Sequence, residues 1–200
     1  MITIVDYGLG NIKSVRNALK FLGHNSQLAC TGKEINSADK LILPGVGAFK
    51  EGMKNITELG IHDNIIDFAK SGKPILGICL GYQILTQSSE EFGFEKGLGI
   101  INARCQKLSP QNKTLPHIGW NKISITSQDN ELYASLTDKY FYFVHSFGVF
   151  SDFKQAISGT TCYGGQNFLS VIQQDNIIGV QFHPEKSGPD GINFLKKFLE

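Results

Sequence analysis

Net charge is what this sequence has least of: 19 Lys and Arg stand against 18 Asp and Glu, a formal balance of +1. A chain so nearly neutral has no electrostatic footprint for nucleic acid or for an anionic membrane, so a small-molecule substrate is expected. No apolar run approaches the ~20 residues that span a bilayer. Met1-Ile2-Thr3-Ile4-Val5 enters an apolar strand with no basic leader, and the expectation is a cytoplasmic protein. Cysteine is scarce and scattered. Cys30, Cys79, Cys105 and Cys162 form no CxxC pair, which fits neither a disulfide framework nor a zinc site, so no metal is expected. Asp6-Tyr7-Gly8-Leu9-Gly10-Asn11-Ile12-Lys13 lacks the third glycine of a dinucleotide loop, because position 13 is lysine. That excludes a Rossmann fingerprint, and no cofactor is implied; Asn11 reads instead as the cap of a helix.

Repeats, linkers and low-complexity segments are also missing. With 200 residues, 41% of them hydrophobic, the chain can build one core with elements on both sides of a sheet and is too short for two full domains, so residues 1–200 are read as a single domain. Apolar runs of strand length recur at Ile2–Val5, Lys40–Leu43 and Pro74–Ile78, each closed by turn residues or glycine. Helical patterns separate them: Ile12, Val15, Ala18, Leu19 and Leu22 share one face, as do Ile61, Ile65, Ile66 and Ala69. Strands alternating with helices predict an α/β fold with a mainly parallel open sheet covered on both faces. After about Gly97 the pattern becomes strand-rich, with strands expected at Ile101–Lys107, Lys122–Thr126, Tyr140–Val144, Gln155–Thr161, Leu169–Gln173 and Ile177–Gln181. A last amphipathic helix covers Gly191–Leu199.

Chemistry concentrates at Gly77-Ile78-Cys79-Leu80-Gly81, where a buried strand runs into a cysteine flanked by glycines. This is the thiol form of a nucleophile elbow, a strained turn that lifts a reactive side chain above the sheet. Leu80, Gln83, Ile84 and Gln87 then begin a helix whose free N–H groups and positive dipole end favour a thiolate. The N–H of Leu80 is a candidate oxyanion donor. A thiol also needs a base and a group that orients the base. Ile177–Gln181 leads through Phe182 to His183-Pro184-Glu185. If Pro184 keeps that segment extended, His183 and Glu185 project to one side and form a Cys-His-Glu triad with Cys79. Each motif alone admits a plainer account, a buried thiol or a polar turn; together they point to one site. His24 and His62 read as solvated, whereas His117 and His145 are candidates for a binding surface.

Leu43-Pro44-Gly45-Val46-Gly47-Ala48-Phe49 follows another strand and is expected at the same carboxyl edge of the sheet. Its paired glycines allow the Val46 N–H to turn inward as the second oxyanion donor, although an ordinary glycine turn fits the loop equally well.

The motifs Leu-Pro-Gly-Val-Gly-Ala-Phe, Gly-Ile-Cys-Leu-Gly-Tyr-Gln, Pro-His-Ile-Gly-Trp-Asn and Gln-Phe-His-Pro-Glu-Lys-Ser, in that order, resemble the class I triad glutamine amidotransferases. Together with Asp-Tyr-Gly-Leu-Gly-Asn, they resemble most the glutaminase subunits of imidazole glycerol phosphate synthases. The resemblance implies a flavodoxin-like fold and hydrolysis of L-glutamine through a Cys79 thioester. It also implies delivery of the ammonia to a (β/α)8-barrel synthase subunit of histidine biosynthesis, in a heterodimer. It places Val46 and Leu80 in an oxyanion hole and Gly47, Gln83, Glu91, Ser146 and Phe147 around the substrate. Asn11, Trp120, His145 and Lys186 are placed towards the partner. Tyr82 departs from the pattern, which has methionine there. The same chemistry serving a sugar amidotransferase is the alternative; a non-catalytic relative is disfavoured by His183-Pro184-Glu185, and an unrelated cysteine hydrolase by Gln83.

Overall fold

Strand β1 (Ile2–Val5) is buried along its whole length, as its β-branched residues require. The computed structural model describes residues 1–125, 132, 136–152 and 157–200. Helix α1 (Ile12–Phe21) follows, with Asn11 accepting the Ser14 N–H at its start and Val15, Ala18 and Leu19 on its buried face. Then come β2 (Ser26–Ala29), α2 (Gly32–Asn36), β3 (Lys40–Leu43), α3 (Phe49–Glu58), α4 (His62–Lys70) and β4 (Ile75–Ile78). Thr31 and Glu34 close α2 with a reciprocal capping box.

Helix α5 (Leu80–Leu85) passes directly into β5 (Thr86–Ser89). It stops short of Gln87, to which the sequence pattern extended it. The reason is local: Thr86 is extended, its hydroxyl takes the Gln83 carbonyl at 2.7 Å, and the N–H groups of Leu98 and Ile100 take those of Ile84 and Leu85. The later strands are β6 (Glu95–Lys96), β7 (Ile101–Lys107), β8 (His117–Lys122), β9 (Ser124–Ile125), β10 (Tyr140–His145), β11 (Phe147–Phe150), β12 (Ile157–Tyr163), β13 (Gln166–Gln174) and β14 (Ile177–Val180). A 3-10 turn at Pro184–Lys186 and helix α6 (Gly188–Leu199) end the chain. The expected strand Lys122–Thr126 divides between β8 and β9. Thr126 lies outside the described residues, as do Gln155 and Ala156 of the expected Gln155–Thr161.

The main sheet has the order β2-β1-β3-β4-β14-β13-β11-β7-β5-β6, with β12 paired to β13 off this path and β9 paired to β12. Its first five strands are mutually parallel, and beyond β14 the pairing is antiparallel except between β5 and β7. Alternation along the strands divides the core in two. Ile4, Ile42, Leu76 and Ile78 pack with Val15, Leu19, Phe194 and Phe198 on one face. Val5, Leu41, Leu43 and Ile75 pack with Phe49, Ile56, Ile65 and Tyr82 on the other. The parallel strands all end at one edge, so the loops after β1, β3, β4 and β14 gather there, where open sheets carry their sites. β8 and β10 form a separate antiparallel ribbon that meets this edge.

Candidate active site

The corner at Cys79 has the strained geometry its glycines suggest. Cys79 has φ 52° and ψ −108°, a left-handed backbone uncommon for any residue but glycine. A Cβ on Gly81 would sit 1.8 Å from the Leu43 carbonyl oxygen, and one on Gly77 would sit 2.7 Å from the Tyr82 Cα. Strand and helix approach this closely only because both positions are bare. Tyr82 fits for a related reason: its ring covers Gly179 of β14, where a Cβ would lie 2.0 Å from the ring.

Because β4 and β14 pair in parallel with Ile78 opposite Val180, the residues that follow each strand leave the sheet side by side. The Cys79 N–H donates to the Val180 carbonyl at 2.8 Å, and the His183 N–H to the Tyr142 carbonyl at 2.9 Å. His183 Nδ1 lies 2.8 Å from Glu185 Oε1, with both side chains enclosed. Nε2 of His183, the ring nitrogen turned away from Glu185, is buried, and the ring interacts with Cys79. The route from His183 to Glu185 differs from the expected extended segment, because the chain turns into the 3-10 turn at Pro184. Proline fixes a φ suited to the first helical position while holding His183, before it, extended. Burial alone would lower the His183 imidazole, but the Cys79 sulfur and the Glu185 carboxylate outweigh it and raise it to about 10. The arrangement favours a protonated imidazole at His183, facing the Cys79 sulfur.

Above the corner is a cleft of about 480 Å³. Cys79 and Leu80 form its floor, and Val46 and Gly47 of the loop after β3 form one wall. Gln83, Glu91, Ser146 and Phe147 also line it, so all five residues expected around the substrate are brought together. The two expected oxyanion donors differ in what is seen. The Leu80 N–H is taken by the Gly45 carbonyl in a long bond of 3.4 Å, while Val46 borders the cleft. Tyr7 OH donates to the Pro44 carbonyl at 2.6 Å and so pins the base of that loop. Glu91 Oε2 accepts the Phe49 N–H at the start of α3, at 2.7 Å, a favourable place for a carboxylate.

Trp120 and Lys186 belong to one exposed patch beside the cleft. The Trp120 ring meets Tyr142 edge-on at 6.1 Å, and Lys186 Nζ lies 5.9 Å from the same Tyr142 ring. Ile118 and Tyr140 are exposed on the same ribbon. His145 lies beneath that face, only 7% exposed, with Nε2 3.0 Å from His117 Nδ1 and Nδ1 2.8 Å from the Phe147 carbonyl. Burial drives His117 down to about 4 and His145 to about 3. Asn11 is spent in part on capping α1. Two side chains in the site carried no sequence expectation of their own: Tyr7, and Gln181, which is fully buried with Nε2 3.6 Å from Cys79 Sγ. Among the described residues no group of three or more His, Cys, Asp or Glu is placed to hold a metal ion, and no helix is long and apolar enough to cross a membrane.

The chain matches the family description "Glutamine amidotransferase class-I" over residues 3–200. It is 46% identical over 202 residues to the imidazole glycerol phosphate synthase subunit HisH of Lacticaseibacillus casei, covering all of this chain and 95% of that one. It is 44% identical over 200 residues to the subunit of the same name from Oceanobacillus iheyensis, covering all of this chain and 98% of that one. In fold it is similar to a crystal structure described as a glutamine amidotransferase, with a TM-score of 0.78 at 17% identity over 100% of this chain and 99% of that one. With the family matched from the first strand to the last residue and the relatives matched end to end, the chain belongs to the class I glutamine amidotransferases, in the company of the HisH subunits.

Proposed function

We propose that this protein is the glutaminase subunit of an imidazole glycerol phosphate synthase, hydrolysing L-glutamine with Cys79 as nucleophile, His183 as acid and base, and Glu185 as the carboxylate that orients it. The observation that carries the reading is the parallel pairing of β4 with β14, which sets the strained Cys79 corner beside the enclosed His183-Glu185 pair. The Cys79 thiolate attacks the carboxamide carbon of glutamine, forming a C–S bond and moving the carbonyl electron pair to oxygen. The intermediate collapses as His183 gives its proton to the departing nitrogen, releasing ammonia and leaving a γ-glutamyl thioester. His183, now neutral, takes a proton from water; the hydroxide equivalent adds, the C–S bond breaks, and glutamate leaves.

The oxyanion is received by the N–H groups of Leu80 and Val46. In the resting arrangement the Gly45 carbonyl holds the Leu80 N–H, so this carbonyl has to give way before the hole is complete. Losing one donor costs roughly 2.7–4 kcal/mol of transition-state stabilisation, which supports a low activity of the chain by itself. Gln83, Glu91, Gly47 and the backbone at Ser146 and Phe147 hold the substrate in the cleft. The partner is the (β/α)8-barrel cyclase subunit, seated on the Trp120-Tyr142-Lys186 patch. Ammonia passes to it for synthesis of imidazole glycerol phosphate and aminoimidazole carboxamide ribotide.

The test is glutamate release by the chain alone, and with a cyclase subunit and its nucleotide ligand, for wild type and Cys79→Ala. Stimulation by the cyclase that disappears in Cys79→Ala is the expected result. Stimulation by a sugar amidotransferase instead would overturn the partner, and activity surviving in Cys79→Ala would overturn the nucleophile.

A further inference from the structure

Gln181 is a polar side chain with no exposure, one residue beyond the end of β14 and two before His183. Its amide orientation is fixed by a chain of partners that begins at a backbone carbonyl. The Phe147 carbonyl is an acceptor only, so the Gln83 atom 2.9 Å from it is Nε2. That same Nε2 lies 3.1 Å from Gln181, so the Gln181 atom facing it is the acceptor Oε1. The remaining end of Gln181, its NH2 group, is thereby turned to Cys79 Sγ at 3.6 Å. The order cannot be reversed without setting two donors or two acceptors against each other in a buried space.

From this geometry we infer that Gln181 is a dedicated donor to the nucleophile, holding the sulfur as thiolate and in place while tying it to the substrate-contacting Gln83. A donor N–H aimed at sulfur interacts more strongly with the thiolate than with the thiol, because the bond becomes charge-assisted on ionisation. The sulfur then has two different neighbours: His183, which exchanges its proton, and Gln181, which exchanges nothing and remains a donor through every step. The bond also restrains the rotation of the Cys79 side chain above its corner. The Gln83 link couples that restraint to the cleft wall, so a displaced Gln83 displaces the donor too. The inference rests on Cys79 being the nucleophile.

Other groups facing Cys79 are His183 after β14, itself held by Glu185, Tyr7 after β1 and Cys105 on β7, with His145, Glu91 and Lys186 around the cleft. All remain unchanged in the test. Gln181→Met keeps the side-chain length and loses both bonds; Gln181→Glu keeps the acceptor for Gln83 and places a carboxylate against the sulfur. Alkylation of Cys79 by iodoacetamide is followed against pH, with the Cys79 peptide resolved by mass from the exposed Cys30 and Cys162. Alongside it, kcat and KM for glutamine are measured. At pH 7 alkylation is expected to fall about tenfold in Gln181→Met and further in Gln181→Glu, with the profile displaced to higher pH and kcat falling more than KM rises. Profiles that superimpose on wild type, or a loss confined to KM, would overturn the inference. Should both variants fail to fold, the side-chain amide resonance of Gln181 in the wild-type protein decides. It is expected to shift with pH at the midpoint of Cys79 alkylation, and a resonance indifferent to that transition counts against the proposal. Activity retained by Cys79→Ala would sink the nucleophile reading itself. An inactive Cys79→Ala with normal Gln181 variants would sink only the donor.

Discussion

His183 and His145 are both buried at the carboxyl edge of the sheet, His183 just beyond β14 and His145 at the end of β10, yet their imidazoles move in opposite directions. His183 rises to about 10 and His145 falls to about 3. Burial pushes both the same way, so enclosure does not separate them. The difference lies in what each ring faces: His183 meets the Glu185 carboxylate and the Cys79 sulfur, whereas His145 meets a second imidazole and a backbone carbonyl. One region is built to hold a charge and the other to exclude it. The Cys79 corner and the ribbon beneath the exposed patch are therefore distinct kinds of polar interior, although they share a cleft.

The largest expected effect comes from removing the charged member. His183→Ala should lower glutaminase kcat by about a thousandfold with the fold intact by circular dichroism; a change below tenfold would erase the distinction between the two histidines. Next is the geometry that brings the charges together. Gly81→Ala sets a Cβ against the Leu43 carbonyl and should destabilise the protein by about 3 kcal/mol in urea unfolding. Gly119→Ala on the ribbon, where nothing lies within 4 Å of the added carbon, creates no such clash and isolates its φ of 133° as the source of strain, so its urea midpoint should fall less than that of Gly81→Ala.

The neutral region makes the third prediction. With the folded imidazoles of His117 and His145 lowered to about 4 and about 3, the unfolded chain binds protons first as pH falls from about 6.5, so stability is lost progressively down to about 3 and then levels. That loss, summed over both rings, should reach at most about 8 kcal/mol and be smaller in His145→Leu, measured by denaturant midpoints at several pH values. The smallest effect is at the surface. Trp120→Ala should change stability by less than about 0.5 kcal/mol while weakening stimulation by the partner; an unchanged stimulation would detach the ribbon from partner binding.

How legible these regions are in the sequence follows from how local their causes are. The Cys79 corner is readable because Gly77 is required by contacts with Tyr82 and Leu85 in the same strand-turn-helix unit, while Gly81, required by the neighbouring end of β3, stands at the matching spacing after the cysteine. The parallel half is readable from Ile2–Val5, Lys40–Leu43 and Pro74–Ile78, whose apolar runs are the burial pattern itself. By contrast, Thr86–Ser89 is a polar tetrapeptide, made a strand by pairing with β7, and Phe49–Glu58 hides its helix behind Gly52. The bonds of Gln181 reach partners 98 and 102 residues away in sequence, so its role has no local signature. The hold of Gly45 on Leu80 is a matter of peptide orientation and leaves no trace in residue type. The opposite charges of His183 and His145 depend on neighbours that only the folded chain supplies.

The most direct test of the charged His183 imidazole is the 15N chemical shift of its ring nitrogens followed from pH 5 to pH 11, in wild type and in Glu185→Gln. A ring that stays doubly protonated through neutrality and loses its proton near 10, earlier in Glu185→Gln, is the expected result. A His183 already neutral at pH 7 in the wild-type protein would contradict the account.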